Sequence, residues 1–426
     1  MKFYIVVMKL RIITFILLCS CTGYGQEGLI LLSADRLFNG EEMIDNGKVL
    51  ISGNKIIQVG QDIIPPQGCI RYDYGDATIM PGMMEGHAHL LLHPYDETPW
   101  NEQVLNESVA ERSIRGAIHA ENTLMAGFTT IRDLGSEGAG YADVGLKQSI
   151  EKGIINGPRL IVAGPAIVTT GSYGPKGFRE QVQVPLGAHT ADGHDDLIKE
   201  VRRQIGGGAD FIKVYADYRW GPEEDAQPTF TLEELKLIVE ITESSGRKVV
   251  AHAATAEGMR RAALAGVISI EHGDGGTPEV FQLMKERGVA LCPTIAAGDA
   301  ISQYRGWNKG VDPEPERIIR KKASMKSAIE SGVTIVAGGD VGVFTHGDNV
   351  RELEMMVEYG MSSVDVLKSV TSVNADVFGI SDKVGRIIEG LEADIIVVKG
   401  DPQEDISNLR EVKTVIKSGV VYKNEH

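Results

Sequence analysis

The chain has 426 residues, 42% of them hydrophobic and 24% charged, with 43 Lys and Arg against 59 Asp and Glu for a formal charge of −16. That balance excludes a disordered chain, and no apolar run reaches the ~18 residues of a membrane span. So acidic a chain is also a poor partner for nucleic acid, whose phosphates are gripped mainly by clustered Lys and Arg.

In chain order, the first segment reads as an address. Lys2, Lys9 and Arg11 precede an apolar run from 12 to 18, and Ser20, Gly23 and Gly25 follow. A basic start, a short apolar stretch and small residues make a secretory signal over residues 1–25, cleaved after Gly25, with a periplasmic or secreted product. Leu18-Cys19-Ser20-Cys21 also resembles a lipoprotein processing site, with Cys21 as lipid anchor at an outer membrane. Cys69 and Cys292 then remain, far apart, and make no disulfide framework.

From 29 to about 80 the pattern is short β. Runs at 29–32, 47–51 and 55–59 are separated by Asn46-Gly47 and Gly53-Asn54. The tail repeats this character at 385–388, 393–398 and 412–416. One small β-sandwich built from both ends, residues 26–80 and 373–426, is therefore expected. The middle, 81–372, alternates instead. Apolar runs end near His89, Asp133, Ala166, Lys213, His252, His272, Pro293 and Asp340, with helical stretches such as 232–244, 256–265 and 278–287, the last stopped by Gly288. Eight strand–helix units over about 290 residues predict an α/β fold of the (β/α)8 barrel type. A doubly wound open sheet is the alternative, but no G-x-G-x-x-G phosphate loop is present.

The chemistry gathers at the strand ends. His87-Ala88-His89 on a strand turns both rings to one face, because side chains alternate with period two. Lys213, His252, His272 and Asp340 each close a later run. Singly, each has an ordinary explanation: a rim histidine, a snorkelling lysine, a helix-capping aspartate. Together they fall at the C-terminal ends of predicted strands one, four, five, six and eight, which converge on one mouth in a barrel. Imidazole plus carboxylate suits zinc and related divalent ions.

These residues resemble the amidohydrolase superfamily, and within it the imidazolonepropionase-like and Xaa-Pro dipeptidase-like branch. The motifs 81–89 (PGMMEGHAH), 127–135 (GFTTIRDLG), 265–273 (AGVISIEHG), 346–349 (HGDN) and 385–394 (GRIIEGLEAD) carry the likeness. The resemblance implies two metal ions, most readily Zn2+. His87, His89 and Asp340 would hold one and His252 and His272 the other, bridged by Lys213 as N6-carboxylysine. It implies hydrolysis of a C–N amide bond by metal-activated hydroxide, with Asp340 moving the proton, on a dipeptide or N-acyl amino acid. A lactone, cyclic imide or imidazolone ring is the alternative substrate, and a non-catalytic binding protein on the same fold the remote one. No G-x-S-x-G supports a serine hydrolase.

The chain departs from the family pattern in three places, of which Gly338-Gly339-Asp340 for a common Gly-Thr-Asp should matter little. Gly171-Ser172-Tyr173 stands where relatives often have Gly-Gly-His, and Ala254 where a His or Tyr donor often lies. Tyr173 or Tyr218 is expected to replace that donor. His346, Tyr215, Arg179 and Arg219 are candidate substrate contacts. The expected partners are a small-molecule substrate and, as an open alternative, further copies of the chain.

Overall fold

The computed structural model describes residues 28–179, 181–221 and 224–426. The proposed leader, with Cys19 and Cys21, lies outside them. Both ends of the described chain build β-structure. A six-stranded sheet runs in the order Val420–Asn424, Val412–Lys417, Ile395–Lys399, Ala77–Pro81, Arg36–Phe38, Met43–Asp45. A four-stranded sheet runs Lys55–Gly60, Lys48–Ser52, Leu29–Ser33, Ile70–Asp73. Leu32, Val49, Ile79, Ile395, Val397 and Ile416 are all fully buried in one cluster, so the two sheets share a core drawn from both termini. The run 385–388 is not a strand, contrary to expectation. Gly385 turns the chain at φ +96, and Ile387 is held by a single main-chain bond to the carbonyl of Asn39.

Between the ends, strands and helices alternate. A three-stranded parallel sheet has the order Arg159–Val162, Phe128–Asp133, Met83–Ala88. A six-stranded one runs His189–Thr190, Ile167–Val168, Ile212–Tyr215, Val249–Ala253, Ser269–His272, Ala290–Cys292. Hydrogen bonding does not join them into one uninterrupted barrel. The predicted third strand divides at Gly164-Pro165. Gly164 is left-handed at φ +68 and Pro165 has no N–H to give the ladder. The half before the break pairs with Phe128–Asp133 and the half after it with Ile212–Tyr215.

The predicted eighth strand is also not a regular strand. Residues 334–341 make only isolated bridges, Ile335 to Leu291 and Val341 to Ala88. Main-chain bonds hold the segment between the two sheets: Leu291 N to Thr334 O at 2.8 Å, Gly86 N to Ala337 O at 2.9 Å and His89 N to Val341 O at 2.8 Å. The passage is tight enough to require glycine. A Cβ on Gly338 would stand 2.6 Å from His87 N and 2.7 Å from Cys292 Sγ.

Helix starts fix the loops after the chemistry-bearing strands. Thr255 caps Ala256–Ala265, just past the strand holding His252, and its hydroxyl accepts from Gly258 N at 3.0 Å. Thr277 caps Pro278–Arg287, past the strand ending in His272, with Pro at the first turn and left-handed Gly288 at the stop. Among the described residues no helix is long and apolar enough to cross a membrane. Cys69 and Cys292 are both free thiols.

Candidate metal centre and substrate cavity

His87 lies in the strand Met83–Ala88, with His89 one residue beyond it; Lys213 is second in Ile212–Tyr215, His252 fourth in Val249–Ala253, and His272 ends Ser269–His272. The fold brings these together with Asp340. His87 Nε2 and His89 Nε2 stand 3.5 and 3.4 Å from the same oxygen, Asp340 Oδ1. The His87 and His272 ring centroids are 5.1 Å apart, and those of His252 and His272 4.4 Å. Ligand atoms of His87, His272 and Asp340 all lie within 4.8 Å of one another.

Hydrogen bonds decide which ring nitrogens are free. His87 Nδ1 is 3.0 Å from Glu271 Oε2, and His89 Nδ1 is 2.9 Å from the Gly135 carbonyl oxygen. Both of those partners only accept, so both Nδ1 atoms carry the proton and both Nε2 lone pairs face Asp340. His272 Nδ1 pairs with the Thr294 hydroxyl at 2.8 Å, again leaving Nε2. His252 Nε2 lies 3.6 Å from Asp217 Oδ1, a buried carboxylate that also accepts from Ala254 N and Thr255 N.

Lys213 is fully buried, and its ammonium nitrogen finds no hydrogen-bond partner. A buried, unpaired amine is costly unless something else completes it. Burial, the largest influence, lowers its pKa from the usual lysine value. Burial likewise holds His87 and His272 well below the ordinary imidazole range and His252 at about 3. Neutral imidazoles are the ligating form. Burial also raises Asp340 above an ordinary aspartate. With three nitrogen lone pairs, a shared carboxylate and an orphaned amine, the residues fit divalent ions of the zinc type.

The backbone is strained where these groups meet. His272, Thr294 and Asp340 are left-handed at φ +76, +48 and +63, and so is Glu137 at +48. Non-glycine residues adopt this conformation only when their surroundings enforce it.

A cavity of about 830 Å³ opens over the cluster, lined by His87, His89, His252, His272 and Asp340. Tyr173, Tyr215, Tyr218 and Arg219 also line it, as expected. The Tyr173 hydroxyl, however, is engaged: it donates to Glu137 Oε2 at 2.7 Å. The Tyr218 ring meets His252 edge-on at 5.7 Å and Tyr173 at 4.9 Å. Two expected contacts are not brought to the cavity. Arg179 is an exposed loop residue, and His346 is buried behind the wall, its Nε2 near the Leu92 carbonyl oxygen at 3.1 Å and its ring stacked on His119 at 4.2 Å. Arg317 lines the cavity in their stead.

Sequence reading missed several residues around the site. Glu271 Oε1 accepts from Arg132 Nη2 at 2.9 Å and from the Ser269 hydroxyl at 2.5 Å. Both Glu271 oxygens are therefore in use, and its grouping with His87 and Cys292 is a hydrogen-bonded brace rather than a second metal pocket. Glu85, buried and pushed up to about 7 by desolvation, accepts from His87 N, Gly339 N and Asn349 Nδ2. It ties the strand holding His87 to the segment holding Asp340. Glu85 and Glu271 both stand in the motifs singled out above, but a carboxylate in an apolar strand was the only signal they gave.

Comparison with known proteins bears on this arrangement. The amidohydrolase family pattern matches residues 78–422. Ochratoxinase of Aspergillus niger is 30% identical over 427 residues, spanning 92% of this chain and 86% of the relative. A solved Xaa-Pro dipeptidase with methionine bound in its active site is 32% identical, with a TM-score of 0.82 over 93% of this chain and 100% of that one. A prolidase solved with N-methylphosphonate-L-proline is 25% identical, with a TM-score of 0.80 over 93% of this chain and 100% of that one.

Proposed function

This chain belongs to the amidohydrolase family and is a hydrolase acting on carbon–nitrogen bonds, and from that footing we propose that it cleaves the amide of a dipeptide or N-acyl amino acid at a two-metal centre. The observation that carries the reading is the buried, partnerless Lys213 amine beside converging imidazole lone pairs. A neutral amine adds to carbon dioxide: the Nζ–C bond forms, one proton leaves, and the product is a carbamate anion. That change turns an uncompensated buried cation into a bidentate ligand. His87, His89 and Asp340 would hold one ion, and His252 and His272 the other. When bound, a pair of divalent ions polarises a carbonyl and lowers the pKa of water toward neutrality.

The chain's own groups account for the remaining steps. Asp340, with its affinity for protons raised by burial, stands where it can take a proton from the attacking water and return it to the leaving nitrogen. Tyr218 is the donor best able to face the substrate carbonyl, since the Tyr173 hydroxyl is spent on Glu137. Arg219 and Arg317 on the cavity wall suit a substrate carboxylate. The ligands bound in two solved relatives, methionine and N-methylphosphonate-L-proline, are consistent with an amino-acid leaving group. The strand–helix order and the bridging segment 334–341 support reading residues 81–372 as a (β/α)8 barrel, with 26–80 and 373–426 as its β-sandwich. The basic and then apolar start supports export, with cleavage after Gly25 or lipid attachment at Cys21.

A zinc-loaded screen of dipeptides, N-acyl amino acids, lactones and cyclic imides tests the substrate. Release of a free C-terminal amino acid is the expected result, and turnover confined to the ring compounds would overturn it. In the same screen Asp340→Asn should keep its fold yet lose at least ~100-fold in kcat, the scale of general acid–base catalysis. Parental turnover by that variant would remove Asp340 from the proton path.

A further inference from the structure

Glu137 has no role in the chemistry above, yet the fold goes to some length to present it. It lies in the loop after the strand Phe128–Asp133, left-handed at φ +48 between Gly135 and Gly138. Its side chain is only 2% exposed, and that exposure is to the substrate cavity. Trp100 Nε1 donates to its Oε2 at 2.9 Å, the Tyr173 hydroxyl donates to the same oxygen at 2.7 Å, and the Tyr215 hydroxyl lies 3.4 Å from Oε1. No Lys or Arg among the described residues comes within ion-pair distance of it. Arg112, behind it, spends its guanidinium on the main-chain oxygens of Leu91, Ser136 and Glu137. The nearest cationic candidate is His89 Nδ1 at 3.9 Å from Oε1, and that atom already donates to Gly135.

A carboxylate held out of water by aromatic walls, with one oxygen underused and no cation beside it, lacks a partner that something must supply. The walls suit the same guest. Trp100 and Tyr173 meet at 5.4 Å and Tyr173 and Tyr215 at 4.6 Å, and aromatic faces attract a desolvated ammonium. We infer that Glu137 and its aromatic surround form the subsite for the free α-ammonium group of a dipeptide substrate, adjoining the His89 side of the reaction centre. This deepens the amide-hydrolase reading and rests on it: of the two substrate classes named there, it selects dipeptides over N-acyl amino acids.

A matched pair tests it. L-alanyl-L-X and N-propionyl-L-X share the leaving amino acid X and differ only by the amino group. Wild-type protein should favour the dipeptide in kcat/KM, and Glu137→Gln should lose roughly 10- to 100-fold on the dipeptide, the scale of a charge-assisted hydrogen bond, with little change on the propionyl compound. Gln still accepts from Trp100 and Tyr173, so the cage keeps its shape. Equal losses on both compounds would make Glu137 a positioning residue and overturn the inference. Calorimetric binding of the same two compounds to metal-loaded Asp340→Asn protein, with and without Glu137→Gln, separates this from the underlying reading. If wild type cleaves neither compound, dipeptide hydrolysis falls as the function. The ammonium subsite still stands or falls on whether the binding preference for the dipeptide vanishes with Glu137.

Discussion

Glu271 precedes one candidate metal ligand, His272, in sequence but serves another, His87. Its Oε2 fixes the tautomer of His87, 184 residues away, while Arg132 and Ser269 hold its Oε1. Arg132 is pinned in turn by the Gly86 carbonyl at 2.8 Å, and its guanidinium sits 4.6 Å over the Phe378 ring. Such outer partners raise the basicity of a ligating imidazole and set its angle, and losing one weakens metal binding by about 10- to 100-fold. Glu271→Gln should therefore raise the zinc dissociation constant, measured by chelator competition, by that factor. Because Arg132 and Glu271 are 2% and 0% exposed, neutralising one member also leaves a buried unpaired charge, expected to destabilise the fold by about 3 kcal/mol. Zinc affinity within twofold of the parent would show that His87 needs no such brace.

At the scale of elements, the glycines divide into two kinds that the sequence does not distinguish. Gly288, past Pro278–Arg287, is left-handed at φ +68 with nothing near its missing side chain. Gly338 has a backbone open to any residue, but a Cβ there would strike His87 N, Gly86 C and Cys292 Sγ. Gly288→Ala should cost about 1 kcal/mol, the left-handed penalty alone. Gly338→Ala should cost more, in the range of about 1–3 kcal/mol for overpacking, and should also lower metal affinity because the displaced neighbour carries His87. Denaturant midpoints and zinc titration of the two variants check this; equal effects on metal binding would refute it. The same contrast explains what was legible. Helices at 256–265 and 278–287 could be read because Thr255, Thr277, Pro278 and Gly288 act on their own neighbours. The six candidate metal ligands were visible because each falls in or just after an apolar run, although Lys213 stands second in Ile212–Tyr215 instead of closing it. The break at Gly164-Pro165 did have a local signal, the Gly-Pro pair itself, whereas the irregular 334–341 segment depends on what packs across it. Glu137 was silent for the same reason: its donors, Trp100 and Tyr173, lie 37 and 36 residues to either side.

For the molecule as a whole, the tail matters although every candidate metal ligand lies before it. The strand Ala77–Pro81 leads through Gly82 into the strand holding His87, and its neighbour on one side is Ile395–Lys399, paired from Ala77↔Lys399 to Pro81↔Ile395. Ile395–Lys399 depends in turn on Val412–Lys417, whose Val415 and Ile416 are fully buried. Further ties bind the tail to the central region: Arg159 pairs with Glu392 at 2.6 Å, and Lys417 Nζ donates to the Gly157 carbonyl at 2.5 Å. Ending the chain after residue 400 would take Ile416 from the core between the terminal sheets and Ile406, Leu409, Val412 and Val415 from the central core, and core losses of this kind cost about 2–5 kcal/mol for each large side chain. The truncated protein should be protease-sensitive, melt well below the parent and bind zinc with less than one equivalent, because the strand that positions His87 loses its support. A truncated chain with the parent's melting temperature and full metal content would mean that the central region stands alone and the terminal sheets serve something other than the site.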